Sequence, residues 1–253
     1  VIKLPEFFII DKEIAFKQKP NLVYLYLESF ERGYFDETLF PGLVPNLKKL
    51  EPRSLNFTNI KEVTATNWTL AGMVASQCGI PLFTTGGQNS MSGMDTFLPG
   101  AVCLGDVLKN EGYDLTYIGG ADLDFAGKGK FYKNHGFDMV QGLYELIETL
   151  ENKNYKNNWG LYDDTLLSLS KKRYQELSLR NKPFGLFILT LDTHGNGHGH
   201  LSKSCEDQVY KDGSNQILNN IHCVDKIASE FINDILTSES FANTLLVVSS
   251  DHL

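Results

Sequence analysis

Three apolar runs in the sequence end in residues able to do chemistry. "NLVYLYL" leads into Glu28 and Ser29, "FGLFILTL" into Asp192 and His194, and "TLLVVSS" into Asp251 and His252. Runs this apolar read as strands buried on both faces of a parallel sheet. Ligands of open α/β sheets collect beyond the carboxyl ends of the strands, so parallel packing would bring the three tips to one edge. Singly, each residue has an ordinary capping or solvated reading; together they point to a site.

Glu28, Asp251 and His252 offer two carboxylates and an imidazole, a set that suits Zn²⁺ or Mn²⁺ better than Ca²⁺. A catalytic metal keeps an open position or takes a nucleophile as its remaining ligand. "TATNWTLAGM" supplies hydroxyls at Thr64, Thr66 and Thr69. Thr69 stands where a helix would begin, near unpaired backbone N–H groups and the positive end of the helix dipole; its plainer reading is an N-cap. "DTHGNGHGH" carries His194, His198 and His200 among glycines too permissive to form a rigid cage. His194, nearest the strand tip, is the functional candidate, and His198 and His200 read as loop residues. In "FAGKGKFYKNHGFD", Lys128, Lys130 and Lys133 either hold a substrate anion or form a solvated basic face. His135 and His222 read as structural.

The elements that must position these groups follow from periodicity and breakers. Strands are expected at 21–29, 55–60, 114–120, 184–194 and 244–250. Helices are expected at 44–51, 69–79, 104–113, 163–179 and 219–238, the second ending at Gly79. "TTGGQNSMSG" reads as a surface loop. Strands alternating with helices give an α/β class with a mostly parallel sheet sandwiched by helices. The organisation expected is a lead-in over 1–20 and one catalytic domain over 21–253, cut short at its C-terminus.

Composition narrows the function. With 42% hydrophobic and 21% charged residues the chain is ordinary globular material. No run reaches the roughly 20 apolar residues of a membrane span, and the start lacks a signal-peptide pattern, so the chain reads as a soluble portion of something longer. A net charge of −8 argues against a non-specific nucleic-acid binder, whose affinity rests on phosphate neutralisation. Cys78, Cys103, Cys205 and Cys223 contain no Cys-x-x-Cys pair, which disfavours a zinc ribbon. Four cysteines allow three disulfide connectivities, and sequence leaves them open. The local pairs Cys78–Cys103 and Cys205–Cys223 are favoured, each closing a loop of roughly 20 residues worth on the order of 3 kcal/mol.

"LYLESFERGYFD", "NWTLAGMVASQCGIPLF", "CLGDVLKNEGYDLTYIGGADLDFAGKGKFYKNHGFD", "NNWGLYDDTLL", "LFILTLDTHG" and "VVSSDHL" together resemble the phosphoglycerol transferases of Gram-negative bacteria, which decorate periplasmic glucans. Those enzymes are similar to lipoteichoic acid synthase and belong to the alkaline phosphatase and sulfatase superfamily. The resemblance covers nearly everything from Asn21 to Leu253. It implies a single divalent ion, Mn²⁺ first with Zn²⁺ or Mg²⁺ as alternatives, held by Glu28, Thr69, Asp251 and His252. It implies Thr69 as nucleophile and His194 as a contact to the substrate phosphate or glycerol. Lys128 falls where lipoteichoic acid synthase has a head-group-binding arginine, and Ala126 where that enzyme has a tryptophan. The implied setting is the periplasmic face of the inner membrane, as the monomeric ectodomain of a membrane protein, with both cysteine pairs oxidised. A phosphatidylglycerol-like lipid would be the donor and a glucan the acceptor. The rival readings are a phosphodiesterase or sulfatase-type hydrolase, and a non-catalytic ectodomain binding glucan or lipid head groups. A sulfatase would need a cysteine or serine where this chain has Thr69.

Overall fold

The structure is a computed structural model and describes residues 19–84, 86–195 and 201–252. Most of the expected lead-in, and both His198 and His200, lie outside the described residues.

Five strands build one sheet: β1 (Asn21–Leu27), β2 (Asp114–Gly119), β3 (Met139–Gln141), β4 (Phe184–Leu189) and β5 (Thr244–Ser250). Their order is β3-β2-β4-β1-β5, and every pairing is parallel. The helices are α1 (Pro45–Leu50), α2 (Thr69–Cys78), α3 (Leu104–Asn110), α4 (Lys128–Asn134), α5 (Leu143–Ile147), α6 (Asp163–Ser178) and α7 (Gln216–Leu236).

Alternation along β1 and β4 sorts their side chains into two cores. Val23, Leu25, Leu186 and Ile188 pack with α1, α6 and α7 on one face, around Leu47, Leu166 and Val224. Tyr26, Phe187 and Leu189 pack with α2 and α4 on the other, around Leu70, Met73, Phe131 and Tyr132. The apolar runs are therefore continuous because both faces are covered. Disulfides join Cys78 to Cys103 and Cys205 to Cys223. The first ties the end of α2 to the start of α3. The second fastens the 203–205 turn to α7.

Two expectations fail. Residues 55–60 form no strand: Leu55, Phe57 and Ile60 are strongly exposed, and no strand among the described residues pairs with them. Alternation alone does not make a strand without a ladder partner. The run 244–250 is a strand but not a buried one. It is the sheet edge among the described residues, with Leu245 and Val248 exposed.

Candidate active site

Sheet order decides the site. β1 lies between β4 and β5, with Tyr26 opposite Leu189 and Leu27 opposite Ser250. The three polar tips are thus neighbours on one edge. Glu28 and Asp251 are buried there, and His252 is partly so. One ligand atom from each of Glu28, Asp251 and His252 can be chosen so that all lie within 4.8 Å of one another. His252 Nε2 stands 3.5 Å from Glu28 Oε1 and 3.7 Å from Asp251 Oδ2.

Ser29 holds the cluster together. Its backbone N–H donates to Asp251 Oδ1 at 2.8 Å, and its hydroxyl donates to Glu28 Oε1 at 3.0 Å and lies 3.2 Å from His252 Nε2. To do so it adopts φ of 50°, a left-handed conformation that costs a non-glycine residue of order 1 kcal/mol. From the segment that follows β4, Thr190 Oγ1 accepts from the Glu28 N–H at 2.9 Å, and the Thr193 hydroxyl donates to the Glu28 carbonyl.

Thr69 enters from the opposite element. It is the first residue of α2, and Trp68 occupies the N-cap position without a side-chain cap bond. The Thr69 hydroxyl therefore does not cap the helix; it donates to Glu28 Oε2 at 3.4 Å. Thr66 is spent in a local turn, donating to the Val63 carbonyl at 2.8 Å, and Thr64 is exposed. Close approach of α2 depends on Gly72. A Cβ there would sit 1.7 Å from the Asp251 carbonyl oxygen.

The electrostatics of the cluster suit a cation. Burial raises Glu28, but His252 as a hydrogen-bond partner and the charge of His194 outweigh it, holding the carboxyl below its ordinary range. Burial, followed by the Glu28 charge, pushes Asp251 well above its range. Asp251 Oδ2 is buried without a hydrogen-bond partner among the described residues. Such an orphan costs on the order of 1–3 kcal/mol, more for a charged group. A divalent cation fits: it would occupy the orphan oxygen and relieve the repulsion between two buried carboxylates.

Lys128 and His194 face the same region. Lys128 is buried, which rules out the solvated basic face for this lysine. Burial depresses its pKa, and the carboxylates of Glu28, Asp251 and Asp122 oppose the shift. Its ammonium makes no hydrogen bond to the described residues and lies 5.5 Å from the Phe125 ring centroid. Lys130 donates to the Ser92 carbonyl at 2.6 Å, and Lys133 is exposed. His194 packs on Trp159 with ring centroids 4.1 Å apart, and its Nδ1 is buried without a hydrogen-bond partner among the described residues. His135 and His222 are structural, bonding Asp106 and the Leu43 carbonyl.

Sequence reading missed Gly72, Trp159 and Asp163, the buried carboxyl that pairs with Asp192 behind the site. The Asp163 side chain accepts from the Leu191 and Asp192 N–H groups at 2.7 and 3.0 Å, while Asp192 accepts from the Asp163 N–H at 3.1 Å and the Ser202 hydroxyl at 2.6 Å. Burial pushes Asp163 up to about 7, and burial together with the Asp163 charge pushes Asp192 well up too. Unfolded, both titrate near about 3.9. The native state therefore binds more protons over that range: the Asp163 contribution to stability is full below about pH 4 and is lost as pH rises through about 7, and the Asp192 contribution is lost as pH rises through its own raised value. Denaturation midpoints should fall from pH 5 to pH 8, and Asp192→Asn should flatten that slope; an unchanged slope in the variant would contradict the assignment.

The sulfatase family model matches residues 20–253. Phosphoglycerol transferase I of Citrobacter koseri is 46% identical over 235 residues, covering 92% of this chain and 31% of the relative. The chain thus spans about a third of that relative's length. An alkaline phosphatase superfamily protein of Vibrio parahaemolyticus superposes with TM-score 0.72 at 22% identity, covering 92% of this chain and 54% of that one. The lipoteichoic acid synthase LtaP of Listeria monocytogenes gives TM-score 0.69 at 16% identity over 92% of this chain and 56% of its own. The C-terminal periplasmic domain of EcEptC from Escherichia coli, in complex with Zn, gives 0.59 at 18% identity over 92% and 64%.

Proposed function

The chain belongs to the sulfatase family, and from that premise we propose that its strand-tip cluster transfers phosphoglycerol from a phosphatidylglycerol-like lipid to a periplasmic glucan, with Thr69 as the covalent carrier. The observation that carries this reading is the Thr69 hydroxyl at the head of α2, 3.4 Å from Glu28, beside the orphan oxygen of Asp251. The name of the Citrobacter relative supports the transferred group.

Glu28, Thr69, Asp251 and His252 would hold one divalent ion, with Mn²⁺ preferred. When bound, the ion supplies Lewis acidity, favouring the ionised Thr69 hydroxyl. Thr69 Oγ1 attacks the donor phosphorus, the bond from phosphorus to the diacylglycerol oxygen breaks, and that oxygen leaves with a proton. A glycerophospho-threonine remains. A glucan hydroxyl then attacks the same phosphorus, loses its proton, and restores Thr69. The buried Lys128 ammonium offsets the phosphodiester charge. His194, fixed by Trp159, presents a ring nitrogen to the phosphoryl or glycerol oxygens and moves the proton. Splitting the transfer lets a lipid donor and a water-soluble acceptor use one site in turn.

In this reading residues 21–253 belong to the catalytic domain, acting at the periplasmic face of the inner membrane. Among the described residues no helix is long and apolar enough to cross a membrane.

Calorimetric titration with Mn²⁺ or Zn²⁺ tests the metal set without any turnover. One ion should bind per chain, and Asp251→Ala should weaken binding at least about tenfold, as loss of a direct ligand does. Equal affinity in wild type and variant would remove Asp251 from the ligand set.

A further inference from the structure

A second polar site lies on the opposite face of the sheet from α2. The end of α1, the 51–53 turn and the middle of α7 enclose a groove of about 290 Å³, near the lower end of small-ligand sites at roughly 300–1,000 Å³. Lys49, Arg53 and Lys226 line it, with Glu230 as the one acid in the lining. The chain as a whole carries −8, so this local excess of cations runs against the background.

The groove's donors are not consumed by the fold. Lys49 and Arg53 make no hydrogen bond or ion pair among the described residues. Lys226 gives one bond, to the Ser204 carbonyl at 3.2 Å, and keeps its other ammonium protons. Ser229 is 4% exposed, and its hydroxyl lies buried in the wall without a hydrogen-bond partner among the described residues. That hydroxyl is sealed from solvent, so it stands behind the groove surface and the three cations are the groove's donors.

Acceptors stand beside the donors. Asn46 commits its side-chain NH₂ to Asp225 Oδ2 at 2.8 Å, so it presents its carbonyl oxygen. Asp225 also takes the N–H groups of Asn46 and Leu47 at 3.0 and 2.7 Å, which fixes α1 against α7 and sets the groove's width. The three cations suit a phosphoryl group, and the free oxygens of Asn46 and Glu230 suit neighbouring hydroxyls.

We propose that this groove binds a phosphorylated polyol of about glycerol phosphate size, separately from the strand-tip cluster. The proposal does not depend on the transferase reading. The same chemistry is offered by free glycerol phosphate and by a phosphatidylglycerol head group.

Amide chemical shifts of the whole chain, followed during titration with glycerol 1-phosphate and with inorganic phosphate, locate binding directly. Sedimentation with phosphatidylcholine vesicles, with or without phosphatidylglycerol, forms the lipid arm. Saturable shifts are expected at residues 46–53 and 226–233, and the double variant Lys49→Gln, Arg53→Gln should weaken them at least tenfold. Thr69→Ala should leave them unchanged. Groove shifts with soluble ligand identify the free phosphate ester as the source; phosphatidylglycerol-dependent sedimentation lost in the double variant identifies the lipid. Absence of both, binding indifferent to the double variant, or shifts confined to residues around Thr69 would overturn the proposal.

Discussion

Thr69→Ala should reduce phosphoglycerol transfer by at least about 10³-fold, because no neighbouring group can replace a lost covalent carrier. Thr66, the nearest alternative in sequence, donates its hydroxyl to the Val63 carbonyl and does not face Glu28. Stability should change little. The Thr69 hydroxyl makes no cap bond at the head of α2, and alanine is a better helix former by roughly 0.5 kcal/mol. Thr69→Ser, which keeps an oxygen, should recover part of the activity. Assays with a lipid donor and an oligosaccharide acceptor, run beside thermal denaturation, separate these outcomes. A folded Thr69→Ala protein that still transfers would mean another nucleophile.

Gly72→Ala should be nearly as damaging without touching any reacting group. The added methyl would lie 1.7 Å from the Asp251 carbonyl oxygen and 2.8 Å from its carbonyl carbon. Both atoms are backbone, so no rotamer change relieves the clash. Either α2 moves outward, taking Thr69 from Glu28, or the β5 tip moves and takes Asp251 with it. Overpacking of this kind costs about 1–3 kcal/mol, partly offset by the roughly 1 kcal/mol that alanine gains over glycine in a helix. A lower melting temperature is therefore expected, together with weaker metal binding and strongly reduced transfer. Wild-type transfer by Gly72→Ala would show that α2 need not sit this close to Asp251.

The site was legible where chemistry stands at the end of a strong period. β1 and β4 are apolar on both faces, so their tips at Glu28 and Asp192 could be read without coordinates. The start of α2 at Thr69 followed from the small-residue helix ending at Gly79, which indeed takes φ of 68°. Sequence could not give the order of strands. Only the placement of β1 between β4 and β5 makes the tips converge.

Gly72 was missed because a glycine among small helical residues carries no positional label, although its helix cost hints at a close contact. β3, at Met139–Gln141, is too short to show a period. The buried state of Lys128 was also hidden. Its neighbours Lys130 and Lys133 suggested a basic face, whereas α4 points Lys128 inward and leaves Lys133 in solvent. Residues 55–60 show the converse error, a pattern with nothing to pair to.

If Thr69 carries the phosphoglycerol between donor and acceptor, mass spectrometry of the protein incubated with phosphatidylglycerol and metal but without glucan will detect it there. A glycerophosphate adduct is expected on the peptide containing Thr69, disappearing when glucan is added and absent from Thr69→Ala. An adduct on any other residue, or turnover with no adduct under conditions that trap one, would contradict the account.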